Sequence, residues 1–444
     1  MKKKIAVVGT LDTKGPEINF ISKIIIERGH EPFVIDIGVL GDVKVPVMMT
    51  RVAVSKAGGS TLEKLIEKGD ENEAGLVMAK GLKSIVLERV EKGELHGLLA
   101  IGGGQASITV APTLQALPLG FPKILVSTKV TQAGAAPFAG NRDVTLMPSV
   151  ADLAGLNRLT RRILANASGA IIGMVETEVM DFDLRPLVVM SMNGTVTGSA
   201  LQVKNALENE GYEILVFHTI GTGGRSLEDY VSSHPVEAVI EFAINEVGNE
   251  LFGGMASAGP DRFEAAGRMG IPQIIIPGSA DFINFLAPPS VPKHLTNRLI
   301  HYHNPQATLV RTNISENRQL GRVIAEKLNR SRGEVTMLWP KKGLSTIDLP
   351  KKKFYDPKAD DALLRSLIKN LRKEIPVLVV DTDINSTAFS EQVVKTFQTT
   401  MTNFKKSTKA PSPSPENGER RGGRQGEYLW GLGYLDSKQS ADDR

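Results

Sequence analysis

Residues 5–15 read IAVVGTLDTKG: five residues that are apolar or glycine, a turn of glycine, threonines, Asp12 and Lys14, and then Gly15 opening an amphipathic stretch. A short β-branched run that breaks at glycine directly before a helical pattern is the opening of a βαβ unit. The following residues complete it. GPEINFISKIIIERG (15–29) places apolar residues at helical spacing, with Pro16 near the first turn and Gly29 at the end, and EPFVIDIG (31–38) returns as a strand.

Working outward, the alternation of strand and helix continues. Residues 45–70 are less regular, 74–94 are helical in pattern, and HGLLAIGGG (96–104) reads as strand plus turn. GFPKILVST (120–128) and VTLMP (144–148) are further strands, followed by a helix through Asn166 and the apolar GAIIGMV. After Asp181 the pattern restarts: PLVVMSMNGTVTGSALQVKNALENEGYEILVFHTIGTGG repeats strand, Gly/Thr loop, helix, glycine, strand, glycine loop. GFPKILVST also has a counterpart in GIPQIIIPG (270–278). The expected fold is α/β, with two Rossmann-like lobes of mainly parallel strands and flanking helices, over residues 1–181 and 182–401. Duplication and independent resemblance both account for the likeness of the two halves.

Composition agrees with this. The 444 residues suit two or three domains, and 41% hydrophobic with 23% charged residues suits a globular chain. The absence of cysteine excludes disulfides, thiolate metal sites and cysteine nucleophiles, and suits a cytoplasmic protein. The apolar run near the start is too short for a signal peptide, and nothing approaches a membrane span. A net charge of +4 falls to +2 without the last 40 residues, and no basic stripe interleaved with aromatics marks a nucleic-acid partner. Residues 402–444, which include Trp430 and the patch YLWGLGYL, lose periodicity and are expected to be a disordered tail.

In a doubly wound sheet, ligands bind beyond the carboxyl ends of the strands, where helix N-termini present free N–H groups. Three loops of the first lobe belong there. Gly9, Thr10, Asp12, Thr13 and Lys14 offer a tight turn, two hydroxyls, a cation for phosphate and, in Asp12, a ligand for Mg²⁺. The plainer reading has Asp12 or Thr13 capping the helix and Lys14 solvated. Gly102, Gly103 and Gly104, with Ser107 just inside the next helix, form an anion-binding nest or a simple tight turn. Ser127 and Thr128 end the neighbouring strand. The spacing is not that of a Walker A loop.

The second lobe offers Asn193-Gly194-Thr195, the run from Gly221 to Ser226 with Arg225, and Gly253-Gly254. His218, His301 and His303, with Glu241 or Asp281, match no metal motif, and the histidines line a cleft or pack on a strand. These groups also define an alternative reading, an enzyme acting on a small phosphorylated or carboxylated metabolite. A regulatory or scaffold subunit is a third.

VVGTLDTKGPE, DIGVLGD, GLLAIGGGQAS, LVSTK, MPSVADLAGLNRL, GPDRFEAAGRMGIPQ, ADFINF and FYDPKADDALL occur in this order. By these segments the chain resembles the ATP-binding domain of the tomato mosaic virus resistance protein and its uncharacterised bacterial relatives, over roughly residues 3–400. The resemblance implies two Rossmann-like subdomains, a homodimer, and ATP binding with Mg²⁺, without implying a reaction. The plant proteins append a TIM-barrel domain that this chain lacks, which implies a separate TIM-barrel partner protein. Where the family pattern has small residues and glycine after Thr128, this sequence has Lys129-Val130-Thr131-Gln132.

Overall fold

The computed structural model describes residues 2–178 and 185–409. The chain divides into two compact units, with the division at Met180 and Asp181.

The first unit is built on five strands: β1 (Lys4–Gly9), β2 (Glu31–Asp36), β3 (Gly97–Gly102), β4 (Lys123–Ser127) and β5 (Thr145–Pro148). They pair in parallel in the order β2-β1-β3-β4-β5. Because helices cover both faces, the central strands are apolar without alternation, and Ile5, Ala6, Val7 and Val8 are all fully buried. Ala6, Val8, Leu98 and Ala100 pack on one side with Leu82 and Val110. Ile5, Val7 and Leu99 pack on the other with Ile18, Ile21 and Ile171. Each such isoleucine contributes about 1.5–3 kcal/mol relative to exposure.

Two local readings need correction. Residues 45–70 contain two short helices, Arg51–Ala57 and Leu62–Lys68, whose N-caps Thr50 and Thr61 each accept a backbone N–H. GAIIGMV is no separate element: it is the second half of the helix Arg158–Glu176, started by a capping box between Asn157 and Thr160. Its apolar residues Ile171, Ile172 and Val175 lie on one helical face against the sheet.

The second unit repeats the scheme. Its strands are β6 (Leu187–Met192), β7 (Glu213–His218), β8 (Ala238–Ala243), β9 (Gln273–Gly278), β10 (Phe282–Phe285), β11 (Ile300–Asn304), β12 (Ala307–Arg311), β13 (Val335–Pro340) and β14 (Val377–Val380). Six of them form a parallel sheet ordered β14-β13-β9-β8-β6-β7. Read from the β7 edge, β7-β6-β8-β9 matches β2-β1-β3-β4, so GIPQIIIPG takes the sheet position of GFPKILVST. The remaining three strands form a small antiparallel sheet, β10-β12-β11.

The last helix, Thr387–Lys409, runs past Met401, beyond the point where the sequence pattern fades. Residues 410–444, which hold most of the expected tail, lie outside the described residues. Among the described residues, no helix is long and apolar enough to cross a membrane.

Candidate functional site

The order 2-1-3-4-5 has its topological switch between the first and third strands, where the crossovers leave to opposite faces and open a crevice at the carboxyl ends. In the first unit β1 and β3 are neighbours, and both end in the predicted loops. Gly9 is closely packed there: a Cβ at this position would lie 3.1 Å from Ile18 Cδ1 and 3.4 Å from the Ile101 carbonyl oxygen, so Ile18 would have to shift slightly to admit it.

The helix Leu11–Glu27 leaves β1 without a side-chain cap from Thr10. The Thr10 and Thr13 hydroxyls lie 2.8 Å apart at the surface. Lys14 is half-buried in the first turn. The helix start is fixed instead by Asp36, at the end of β2, whose Oδ1 accepts the N–H groups of Leu11 (3.1 Å) and Gly38 (2.9 Å). Its Oδ2 accepts from Arg51 Nε at 2.6 Å. Arg51 also donates through Nη1 to the carbonyls of Leu40 and Gly41, holding the loop after β2. Arg51 Nη2 faces Asp12 Oδ1 at 3.7 Å, and neither atom has a hydrogen-bond partner.

Asp36 and Arg51 were not singled out from sequence. The signal was an acidic residue closing the second strand. In dinucleotide-binding folds a residue there takes a ribose hydroxyl, but Asp36 is 1% exposed and both its oxygens are occupied.

The second loop is open. The helix Gly104–Ala116 starts at Gly103 with no side-chain cap, leaving its first N–H groups at the mouth of β3. Ser107 and Ser127 are buried and brace the loops behind it. Ser107 Oγ lies 2.7 Å from both the Gly103 carbonyl and Ser127 Oγ, and Ser127 Oγ accepts the Lys129 N–H at 3.0 Å. The brace sets Thr128 beside Gly103 and the Lys129 stem beside Gly104. The exposed Lys129 ammonium reaches Gln132 Oε1 at 3.1 Å. Lys129 thereby brings a cation to the mouth.

In the second unit the corresponding places are filled by protein. Asn193 Nδ2 donates to Thr219 Oγ1 and Asn245 Oδ1, and Asn193 Oδ1 accepts from Thr195 and Ser279. All five side chains are buried. The helix Thr222–Ser233 would be an anion site, but Glu246 occupies it, accepting the N–H groups of Gly221 (2.7 Å) and Gly224 (3.0 Å). Arg225 is exposed and donates to the Ser257 carbonyl. Gly253 and Gly254 end the helix Asn245–Phe252, with Gly253 left-handed (φ 72°), so this pair sits at the negative end of a helix dipole.

Glu246 belongs to a buried charge cluster. Arg262, 1% exposed, makes paired 2.6 Å contacts with Glu241 and contacts of 2.7 Å with Glu246 and 3.1 Å with Glu228. Glu228 in turn accepts the N–H groups of Phe263, Glu264 and Ala265 at a helix start. The GPDRFEAAG segment is thus structural. Burial pushes the Glu246 carboxyl up, against the pull of Arg262.

His218 ends the edge strand β7, whereas His301 and His303 lie on β11 of the small sheet, their rings 6.2 Å apart. Glu241 is held by Arg262 and Asp281 by Ser345. Among the described residues, no group of three or more His, Cys, Asp or Glu side chains is placed to hold a metal ion.

Fold and site together define a two-unit α/β protein whose first unit has the doubly wound order 2-1-3-4-5, with glycine loops ending the strands at its switch point. The chain belongs to the UPF0261 family: the N-terminal domain of that uncharacterised protein family matches residues 3–180 and its C-terminal domain residues 185–401. It is 38% identical over 397 residues to a UPF0261 protein of Clostridium tetani, covering 89% of this chain and 98% of the relative. It is 33% identical over 329 residues to the ToMV resistance protein Tm-1(GCR237) of Solanum lycopersicum, covering 72% of this chain and 44% of the plant protein. Among solved structures, an uncharacterized protein from Bacillus cereus ATCC 10987 is similar at 13% identity and a TM-score of 0.26, covering 80% of this chain and all of that one. That score carries no argument.

Proposed function

We propose that this chain is an ATP-binding protein whose first unit holds the phosphates at the β1/β3 switch point. The observation that supports it most is the uncapped start of the helix Gly104–Ala116 at that switch point, while the corresponding strand ends of the second unit are filled by the bonded side chains of Asn193, Thr195, Asn245 and Ser279. Helix N–H groups and the positive dipole end favour phosphate. Lys14 and the hydroxyls of Thr10 and Thr13 supply further contacts from β1, and Thr128 and Lys129 from β4. Ser107 and Ser127 act behind them, through the loop backbone.

Asp12 is the protein ligand for Mg²⁺ in this reading. Its Oδ1 accepts no hydrogen bond and only faces Arg51 Nη2 at 3.7 Å, so Mg²⁺ would take the place of that ion-pair contact. A homodimer, as the family resemblance implies, in the cytoplasm, as the cysteine-free composition suits, completes this reading.

Thermal unfolding with and without Mg²⁺ and ATP tests the reading. Ligand at 100 times Kd stabilises by about 2.7 kcal/mol, and Lys14→Ala shrinks the shift at a fixed concentration. No shift at millimolar ATP overturns it. A sedimentation mass of one 47.9 kDa chain rather than two overturns the dimer.

A further inference from the structure

We propose that Asp281, Arg311, Asp348 and Asp360 form a proton-controlled latch on a strap, residues 343–356, that lies across the strand ends of the second unit. The strap closes the filled crevice: Thr346 donates its N–H to the Thr195 carbonyl (3.0 Å), and Ser279 donates to Leu344 (2.9 Å). Its bends are restrictive. Gly343 has φ 138°, where a Cβ would lie 2.1 Å from the Asp348 carbonyl oxygen, and Lys351 is left-handed at φ 70°. A non-glycine residue held there stores strain that its surroundings must hold.

The holding group is Arg311, at the end of β12 and 2% exposed. It donates to Asp360 Oδ1 (2.6 Å), Asp348 Oδ1 (3.4 Å) and the carbonyls of Phe354 (2.7 Å) and Asp356 (3.3 Å). Asp281, from the turn before β10, accepts from Ser345 of the strap through Oδ2 at 2.8 Å, while its Oδ1 is buried without a partner. Three buried carboxylates therefore face one guanidinium, and the arrangement is neutralised only when protons are retained. Burial and the neighbouring carboxylates raise Asp348 to about 9, and burial raises Asp281 to about 6. Asp356 adds a further negative charge from the helix start, and from β11 His301 packs edge-on against Phe354 with Lys353 nearby. Loss of the retained proton leaves excess negative charge under the strap and frees it from the strand ends.

Amide hydrogen exchange of the full chain between pH 6 and pH 8, corrected for intrinsic rates, reads the latch. The closed strap keeps one more proton than the open one, so opening of residues 344–356 rises about tenfold per pH unit, and Asp348→Asn removes the slope. A flat profile, a slope retained in that variant, or one shared by all core amides of the unit overturns the latch. Infrared spectra of the unmutated chain give a second measure independent of the variant's folding: a protonated carboxylic acid band at pH 7 that disappears by pH 10 is expected, and its absence at pH 7 overturns the proposal.

Discussion

Arg262 and Glu241 meet fork to fork with both N–H···O distances at 2.6 Å, and the two side chains are 1% and 2% exposed. The pair lies in the second unit beside Glu228 and Glu246, so the single guanidinium contacts three carboxyl groups. Backbone N–H groups donating to Glu246 and Glu228 stabilise the remaining negative charge. Arg262→Ala leaves that charge buried and unpaired, a change that costs about 3–5 kcal/mol. Denaturant unfolding followed by the single described tryptophan, Trp339, buried in this unit, should show the midpoint fall. Glu241→Gln keeps one fork contact and should cost less.

The crevice of the first unit depends on Gly38. A Cβ there would lie 2.8 Å from Asp12 Oδ1 and 2.9 Å from Arg51 Nη2. Gly38→Ala must therefore push apart the ion pair that ties the loop after β2 to the first helix. The expected result is a fold that persists, because the sheet is untouched, with weaker stabilisation by Mg²⁺ and ATP in the thermal assay. An unchanged ligand shift would show that this loop has no part in the site.

Ser127 makes a different kind of contribution. It joins β4 to the β3 loop through Ser107 and holds the Lys129 amide. Ser127→Ala removes these bonds and leaves the Lys129 N–H short of a partner, while the Ser107 hydroxyl keeps the Gly103 carbonyl, at a cost of about 1–3 kcal/mol. Because Thr128 and Lys129 are then less firmly set, the affinity for ATP, read by calorimetry, should fall.

The strands of the first unit, and β6, β7 and β9 of the second, were legible because apolar periodicity and glycine punctuation are local, whereas β8 and β10 to β14 were not singled out. The crevice was half legible. Residues 9–14 and 102–104 announce themselves as glycine breaks at strand ends, but Asp36 and Arg51 act through a contact between a strand end and a helix 15 positions away. The filling of the second crevice was not legible. Asn193-Gly194-Thr195 and the 221–224 loop have the composition of ligand loops, and only the fold reveals that Ser279, Asn245 and Glu246 bind them first. Gly253-Gly254 misled for a simpler reason: a glycine pair closing a helix looks the same in sequence as one opening it.

The pH dependence of stability follows from the second unit's buried acids. Asp348 is raised to about 9, Asp281 to about 6, and Glu246 is raised, in each case first by burial. A carboxylate whose folded pKa exceeds its unfolded value binds its proton more firmly when folded. Its stabilising contribution is complete below the unfolded value near ~4 and is lost as pH rises through the folded value. From pH 6.5 to 8.5 the folded unit retains the Asp348 proton that the unfolded chain has released. The unfolding free energy should therefore fall with rising pH, by about 1.4 kcal/mol per unit for one proton. Urea midpoints for the second unit at these two pH values measure the slope, and Asp348→Asn should flatten it. A midpoint that rises with pH over this window would contradict the retained proton, because it would require the unfolded chain to bind more protons than the folded one.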